Sequence, residues 1–252
     1  MLNHPTVDKL VALRMHAMAR GLAEQLQNPE MAQLSFEERL GLLADRQLTE
    51  RESQRMARRL ANAKLRQQAY LEDLDFRAPR GLDRTLLSRL SEGTWLREGH
   101  HILITGPTGI GKTYLACALA QKACRDGTAA YYVRMPRLVS DLAAARAEGR
   151  HRRLLETLVR KPLLVLDDWG LNGFSDELRR DLLELVEERH DRRSIVITSQ
   201  FPIDQWHDLI GDPTLADAIL DRLVHKAHKI TLKGASMRKT RISPPDGDAQ
   251  DA

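Results

Sequence analysis

The sequence predicts an α/β fold: an open, mostly parallel five-stranded sheet with a small all-α region in front of it. Three observations carry this. The run His101-Ile102-Leu103-Ile104-Thr105 is a short apolar strand that feeds Gly106-Pro107-Thr108-Gly109-Ile110-Gly111-Lys112-Thr113 and then an apolar-periodic helix starting at Tyr114. Beyond it, short β-branched or apolar runs alternate with helical patterns, which is how a parallel sheet with crossover helices is written. Residues 1–75 hold no convincing strand.

Along the chain, Val7, Leu10, Val11, Met18, Leu22 and Leu26 recur at mostly three- and four-residue spacing, predicting one amphipathic helix that Asn28-Pro29 ends. Ser35-Phe36-Glu37-Glu38 is a capping box opening a short helix through about residue 44, and Thr49-Glu50-Arg51-Glu52 is a second one opening a longer helix. On that longer helix Arg51, Arg55, Arg58, Arg59, Asn62 and Arg66 form a basic stripe. Between Arg46 and Arg66 there are seven Lys/Arg against two acids. Most such runs are solvated faces. Here short helices precede the stripe and no acid follows Glu52, so the expectation is duplex DNA contact through Arg51, Arg55, Arg58, Arg59 and Arg66.

Residues 72–83, with acids followed by Pro79 and Gly81, read as a hinge. The expected organisation is a helical DNA-binding domain over 1–75, a linker with a lead-in helix over 76–100, an α/β domain over 101–242, and a disordered tail over 243–252. Within 76–82 an adenine-pocket wall and a plain linker are equally good readings. The strands predicted after the first are 129–133, 163–168, 194–200 and 229–233. The helices are about 112–126 (closed by Gly127), 136–148, 151–159, 175–190, 204–209 and 215–225.

The chemistry starts at the glycine-rich loop, the Walker A pattern in the context it requires. Glycines let the backbone curl around a polyphosphate, and exposed loop and helix N–H groups point at the anion. Gly106 to Tyr114 are thus expected to bind ATP. Lys112 supplies a mobile charge to the terminal phosphates, and the Thr113 hydroxyl can hold Mg²⁺. Leu163-Leu164-Val165-Leu166-Asp167-Asp168 is the Walker B pattern: Asp167 on the metal side, Asp168 placed to orient or deprotonate the attacking water. Adjacent acids ending a buried strand are costly without a cation nearby. The second acid is often Glu in such ATPases; Asp is one methylene shorter, so hydrolysis is expected to be slow or partner-stimulated. Thr198-Ser199-Gln200 brings polar groups to the same end of the sheet, and either Ser199 or Gln200 could position the water; strand capping is the alternative. Arg222 and Arg238 could each stabilise charge on the transferring phosphoryl group, in cis or from another subunit, though on the residues alone a surface salt bridge is the better reading for both.

Composition limits the partners. The chain has 252 residues, with 39 Lys+Arg against 35 Asp+Glu for a net charge of +4, a mild lean toward anions. Aromatic residues make up 4%, too few for a base-stacking platform. Cys117 and Cys124 fall on one face of the helix after the loop and are expected to pack in a core, in a reducing compartment. Met1-Leu2-Asn3-His4 runs into a mixed-charge helix without a leader, and no apolar run nears the roughly 20 residues of a membrane span. A cytoplasmic protein without membrane contact is expected.

Together, Leu22-Ala23-Glu24-Gln25-Leu26, Ser35 to Leu40, the phosphate loop, Leu163 to Gly170, Ile197 to Pro202 and Ala216 to Leu223 resemble the AAA+ ATPases of the DnaA/DnaC branch. Among these the chain most resembles the IstB-like helper ATPases of insertion-sequence transposition. The resemblance implies an AAA+ domain of the ASCE P-loop class. It implies that Arg222 is an arginine finger for a neighbour's ATP and Arg238 the sensor arginine of its own site. It further implies a homo-oligomer with ATP at subunit interfaces, self-assembly on duplex DNA, and recruitment or activation of a partner transposase. Arginines after the second strand (Arg134, Arg137, Arg150 and Arg152) would line the DNA. Gln200 stands where the wider clan often has Asn. A DnaC-like helicase loader shares the ATP machinery and is the second reading; a nucleotide-gated DNA-binding module with negligible hydrolysis is the third.

Overall fold

The computed structural model describes residues 4–237. The chain forms two compact units, one up to Arg58 and one from Arg59 onward. In order the helices and strands are α1 (Pro5–Ala12), α2 (His16–Gln27), α3 (Phe36–Ala63), α4 (Arg84–Ser91), α5 (Thr94–Arg97), β1 (His101–Thr105), α6 (Lys112–Arg125), β2 (Ala130–Arg134), α7 (Met135–Ala147), α8 (His151–Val159), β3 (Leu163–Trp169), α9 (Asp176–Arg189), β4 (Ser194–Ser199), α10 (Trp206–Ile210), α11 (Pro213–Val224) and β5 (Ala227–Thr231).

In the first unit the small residues Ala17, Ala19 and Gly21 of α2 are buried. A Cβ at Gly21 would stand 2.7 Å from Leu43 Cδ2, so α2 and α3 meet where side chains are smallest. Gln47, buried on α3, accepts from the Met18 N–H at 3.2 Å, satisfying one donor of the first turn of α2. The Ser35 box forms as expected: Glu38 N–H donates to Ser35 Oγ and Ser35 N–H to Glu38 Oε2, at 3.2 and 2.8 Å.

Two expectations for this region fail. The single N-terminal helix is two, because Arg14 turns left-handed (φ 59) and Met15 N–H reaches back to Leu10 O while Arg14 N–H reaches Val11 O. That is a Schellman stop made without glycine. Conversely, the two helices expected over 35–66 are one 28-residue helix. Nothing between residues 44 and 49 breaks a helix, and a Thr-x-x-Glu string caps only a chain that arrives non-helical. This helix stops at Ala63, where Lys64 adopts φ 52.

The second unit is a five-stranded, all-parallel sheet in the order β2-β3-β4-β1-β5. Both faces are buried. Ile102, Ile104, Val165 and Val196 point to the face covered by α4, α5 and α6, while Leu103, Leu164, Leu166, Ile195 and Ile197 point to the face covered by α7 to α11. That alternation explains why the strands read as continuous apolar runs. Predicted strands and helices from 84 to 225 match to within two or three residues at their ends. β5 begins two residues earlier than expected. Cys117 and Cys124 are both buried and unbridged in the α6 core.

Two buried basic side chains, one charged and one neutral, shape the end of the sheet opposite the loop. Arg189 is fully buried, and its Nη1 donates to Leu158, Val159 and Lys161 carbonyls at 2.6–3.1 Å, tying the C-terminus of α8 to α9. Burial pushes its pKa down to about 9. His101 is buried, Nδ1 accepts from Ile195 N–H at 3.1 Å, and burial lowers its pKa to about 4.

No described helix is long and apolar enough to cross a membrane.

Candidate functional site

The C-terminal ends of β1 and β3 open onto a cavity of about 380 Å³. Its lining includes Thr108, Gly109, Gly111, Lys112, Thr113 and Tyr114 of the loop, Asp168 and Gln200. The loop conformation depends on its three glycines, as Gly106 and Gly111 show. Gly106 has φ 143, and a Cβ there would lie 2.3 Å from Leu232 O; Gly111 has φ 103 and forms the left-handed N-cap of α6. The first-turn N–H groups of α6 thus face the cavity without a capping side chain, the arrangement an anion fills. Lys112 Nζ donates to Gly106 O and Pro107 O at 2.6 and 2.9 Å, folded over the loop it would share with a polyphosphate.

The two Walker segments meet directly. Thr113 Oγ1 donates to both oxygens of Asp167, at 3.0 and 3.1 Å. Asp167 is fully buried and is held by two further hydroxyls, Tyr132 Oη and Thr198 Oγ1. Burial and the Asp167 carboxylate push the Tyr132 phenol well above its ordinary pKa, so it remains a donor. A hydroxyl beside a buried carboxylate is a hard oxygen set of the kind Mg²⁺ takes alongside phosphate oxygens. Among the described residues no group of three or more His, Cys, Asp or Glu forms a cage of its own.

Asp168 is presented differently. A register irregularity between Leu166 and Trp169 lets the chain turn left-handed at Asp168 (φ 64), and Asp168 N–H donates to Thr198 Oγ1 at 3.1 Å. Its Oδ2 accepts from Arg134 Nε and Nη2 at 2.8 and 2.7 Å. β2 and β3 pair Arg134 with Asp167, so the register itself delivers this arginine to the acid pair. The bond to Asp168 raises the Arg134 pKa.

The other expected residues divide as follows. Gln200 lines the cavity and accepts from Thr108 Oγ1 at 2.7 Å. Ser199 is fully buried, donates to Trp169 O at 2.9 Å and accepts from Phe201 N–H, a capping role away from the cavity. Arg222 is not among the cavity residues; it donates to Ala218 O at 2.7 Å and to Glu187 at 2.8 Å. Arg238 and the tail lie outside the described residues.

Of the residues expected on DNA, Arg51, Arg55 and Arg58 are exposed on α3. Arg137, Arg150 and Arg152 are exposed and pair with Asp141, Glu148 and Glu156 close by in sequence. Arg59 leaves the stripe and donates to Cys124 O at 2.7 Å. Arg66 lies beyond the end of α3, in the cavity wall, and Arg134 is taken by Asp168.

Sequence reasoning missed Thr198, Tyr132 and Arg80. Each acts across strands or through an irregular segment, so only strand register could have pointed to the first two. Arg80 is buried, donating to Asp75 O at 2.6 Å and to Ile110 O of the loop at 3.3 Å. With Gln67, Asp73, Leu74 and Asp75 it lines the cavity, so the wall lies mostly before the 76–82 segment, which contributes Arg80.

A family model described as IstB-like ATP binding protein matches residues 8–244. The y4pL protein of Sinorhizobium fredii (strain NBRC 101917 / NGR234), whose name describes an insertion sequence ATP-binding protein, is 51% identical over 241 residues, covering 96% of this chain and 98% of its own length. Among solved structures, DnaI is similar with a TM-score of 0.55 at 22% identity, over 66% of this chain and 92% of that one. The DnaC helicase loader is similar with a TM-score of 0.52 at 24% identity, over 69% and 99%. These likenesses show the fold alone, the five-stranded parallel sheet of the AAA+ P-loop NTPase class. Since the family match spans nearly the whole chain and a relative of similar length shares half its residues, the protein belongs to the IstB-like ATP-binding family.

Proposed function

We propose that the protein is an ATPase that assembles on duplex DNA and there recruits or activates a partner transposase. The observation that carries the enzymatic part is the direct bond between Thr113 and a buried Asp167, with Asp168 next to it on the cavity. In this reading the loop N–H groups and Lys112 bind the phosphates, and Thr113 with Asp167 would hold Mg²⁺. The metal supplies neutralisation of charge on the β- and γ-oxygens. Gln200 orients water and Asp168 takes its proton once Arg134 lets go. With Asp168 paired to Arg134, basal turnover is slow; a phosphate backbone that draws Arg134 away frees the base. Arg222, engaged on its own surface by Glu187, acts on the ATP of a neighbouring copy, so assembly completes the site.

Exposed Arg51, Arg55 and Arg58, and separately Arg137, Arg150 and Arg152, support contact with DNA phosphates, which reads backbone more than sequence. The insertion-sequence name of the relative supports a transposase as partner. So does apolar exposure: among the described residues, Val11, Leu13, Leu26, Phe36, Leu40, Leu42 and Leu48 are exposed large hydrophobics in the first unit, a composition suited to a protein surface.

The test is phosphate release with and without duplex DNA, for the native chain and Asp168→Asn. DNA-stimulated release that the variant loses while still binding ATP supports the reading. Retained turnover in the variant removes Asp168 as the base. No turnover by the native chain under any condition favours a nucleotide-gated binding module.

A further inference from the structure

Helical periodicity places Arg66 on one face with Arg55, Arg58 and Arg59, but α3 ends at Ala63 and the left-handed Lys64 ends the periodicity with it. Arg66 Nη1 lies 3.8 Å from Asp167 Oδ2, and its side chain, 43% exposed, lines the same cavity as Lys112 and Thr113. Three of the groups around the fully buried Asp167 are hydroxyls, and Arg66 adds a guanidinium at ion-pair distance. At 3.8 Å the guanidinium is beyond hydrogen-bond reach of the carboxylate, and the Tyr132 phenol is a second neighbour beside it.

We propose that Arg66 is a nucleotide-binding residue that reaches the β- and γ-phosphates of ATP from the segment following α3, and makes the site favour a triphosphate over a diphosphate. The position argues for that end of the nucleotide. Thr113 and Asp167 mark where the terminal phosphates and their metal belong, and Arg66 stands at that carboxylate. A planar guanidinium can take two phosphate oxygens at once, where Lys112 offers a point charge. A diphosphate leaves this arginine with less charge to meet. The inference rests on reading the cavity as a nucleotide site.

It is tested by titrating ribose-labelled fluorescent ATP and ADP, with Mg²⁺, into the full native chain, Arg66→Ala and Arg66→Lys, and by measuring duplex DNA binding of each without nucleotide. Removing a charge-assisted hydrogen bond is expected to weaken ATP binding by roughly tenfold or more in Arg66→Ala, and ADP binding by less than about threefold. Arg66→Lys recovers part of the ATP affinity, and DNA binding is unchanged in all three. Equal weakening of ATP and ADP overturns the inference, as does unchanged affinity for both. Lost DNA binding with intact ATP affinity returns Arg66 to the DNA stripe and overturns it too. If the native chain binds ADP well and ATP does not compete for that site, the inference alone fails; if it binds neither, the nucleotide reading fails and takes the inference with it.

Discussion

Asp167 shows how one residue's surroundings fix its job. Full burial of a carboxylate is expensive, and three hydroxyl donors offset that cost. His101 illustrates the opposite choice, a buried base kept neutral so that Nδ1 can accept from Ile195. Its pKa falls from 6.5 to about 4 on folding, so the unfolded chain takes up a proton that the native one refuses. Stability from this residue is present above pH 6.5 and is lost as the pH falls toward 4, by about 3 kcal/mol in all. His228, also depressed by burial, acts in the same direction. Urea midpoints between pH 7 and 4.5 should drop for the native chain and drop less for His101→Asn. An equal slope in both would show that other groups set the acid limit. The carboxylates of Glu24, Glu72 and Asp191 titrate below their ordinary range and so act mainly at lower pH.

Elements were legible in the sequence wherever their limits are written in side-chain chemistry. Ser175 caps α9 and Gly127 follows the end of α6, so those boundaries could be read closely; Asp83 and Asp212 also cap helices, but neither figures in the boundaries expected from sequence. Arg14 and Lys64 stop helices in a left-handed conformation with no glycine, and neither stop could be read. The phosphate loop and the acid pair were legible because one fold context serves one chemistry. Tyr132, Thr198 and Arg134 at the acid pair were not, because strand order and register decide which side chains meet. On α3, the exposed Arg55 and Arg58 carry the proposed contact with DNA. Reversing both to Glu should weaken duplex binding and lower the salt slope by about 0.9 for each phosphate that is no longer neutralised. Unchanged affinity and slope, measured by anisotropy across a salt series, would remove the helix from the interface.

For the whole molecule, the arrangement of Arg222 is the decisive feature. It is absent from its own chain's cavity and bridges α11 to Glu187 on α9. A residue acting on a neighbour's nucleotide has to leave that bridge at assembly. Arg222→Ala should therefore bind ATP normally as a monomer, yet lose ATP-dependent oligomers on DNA and most phosphate release. Sedimentation and release assays run together check this, and normal assembly with normal turnover would rule out a trans role. Glu187→Gln, which frees the arginine, is expected to assemble at lower protein concentration.

The chain has two thiols, and both are sealed inside the helix that carries the phosphate loop. Burial also raises the pKa of each, leaving little thiolate to react. The molecule therefore contains its own silent tag. A maleimide or disulfide reagent should mark native protein only when α6 opens, so the labelling rate becomes a clock for breathing of the sheet's core. A ligand seated at the start of that helix should slow the clock, and rapid labelling of the native chain would show that the core is looser than its packing implies.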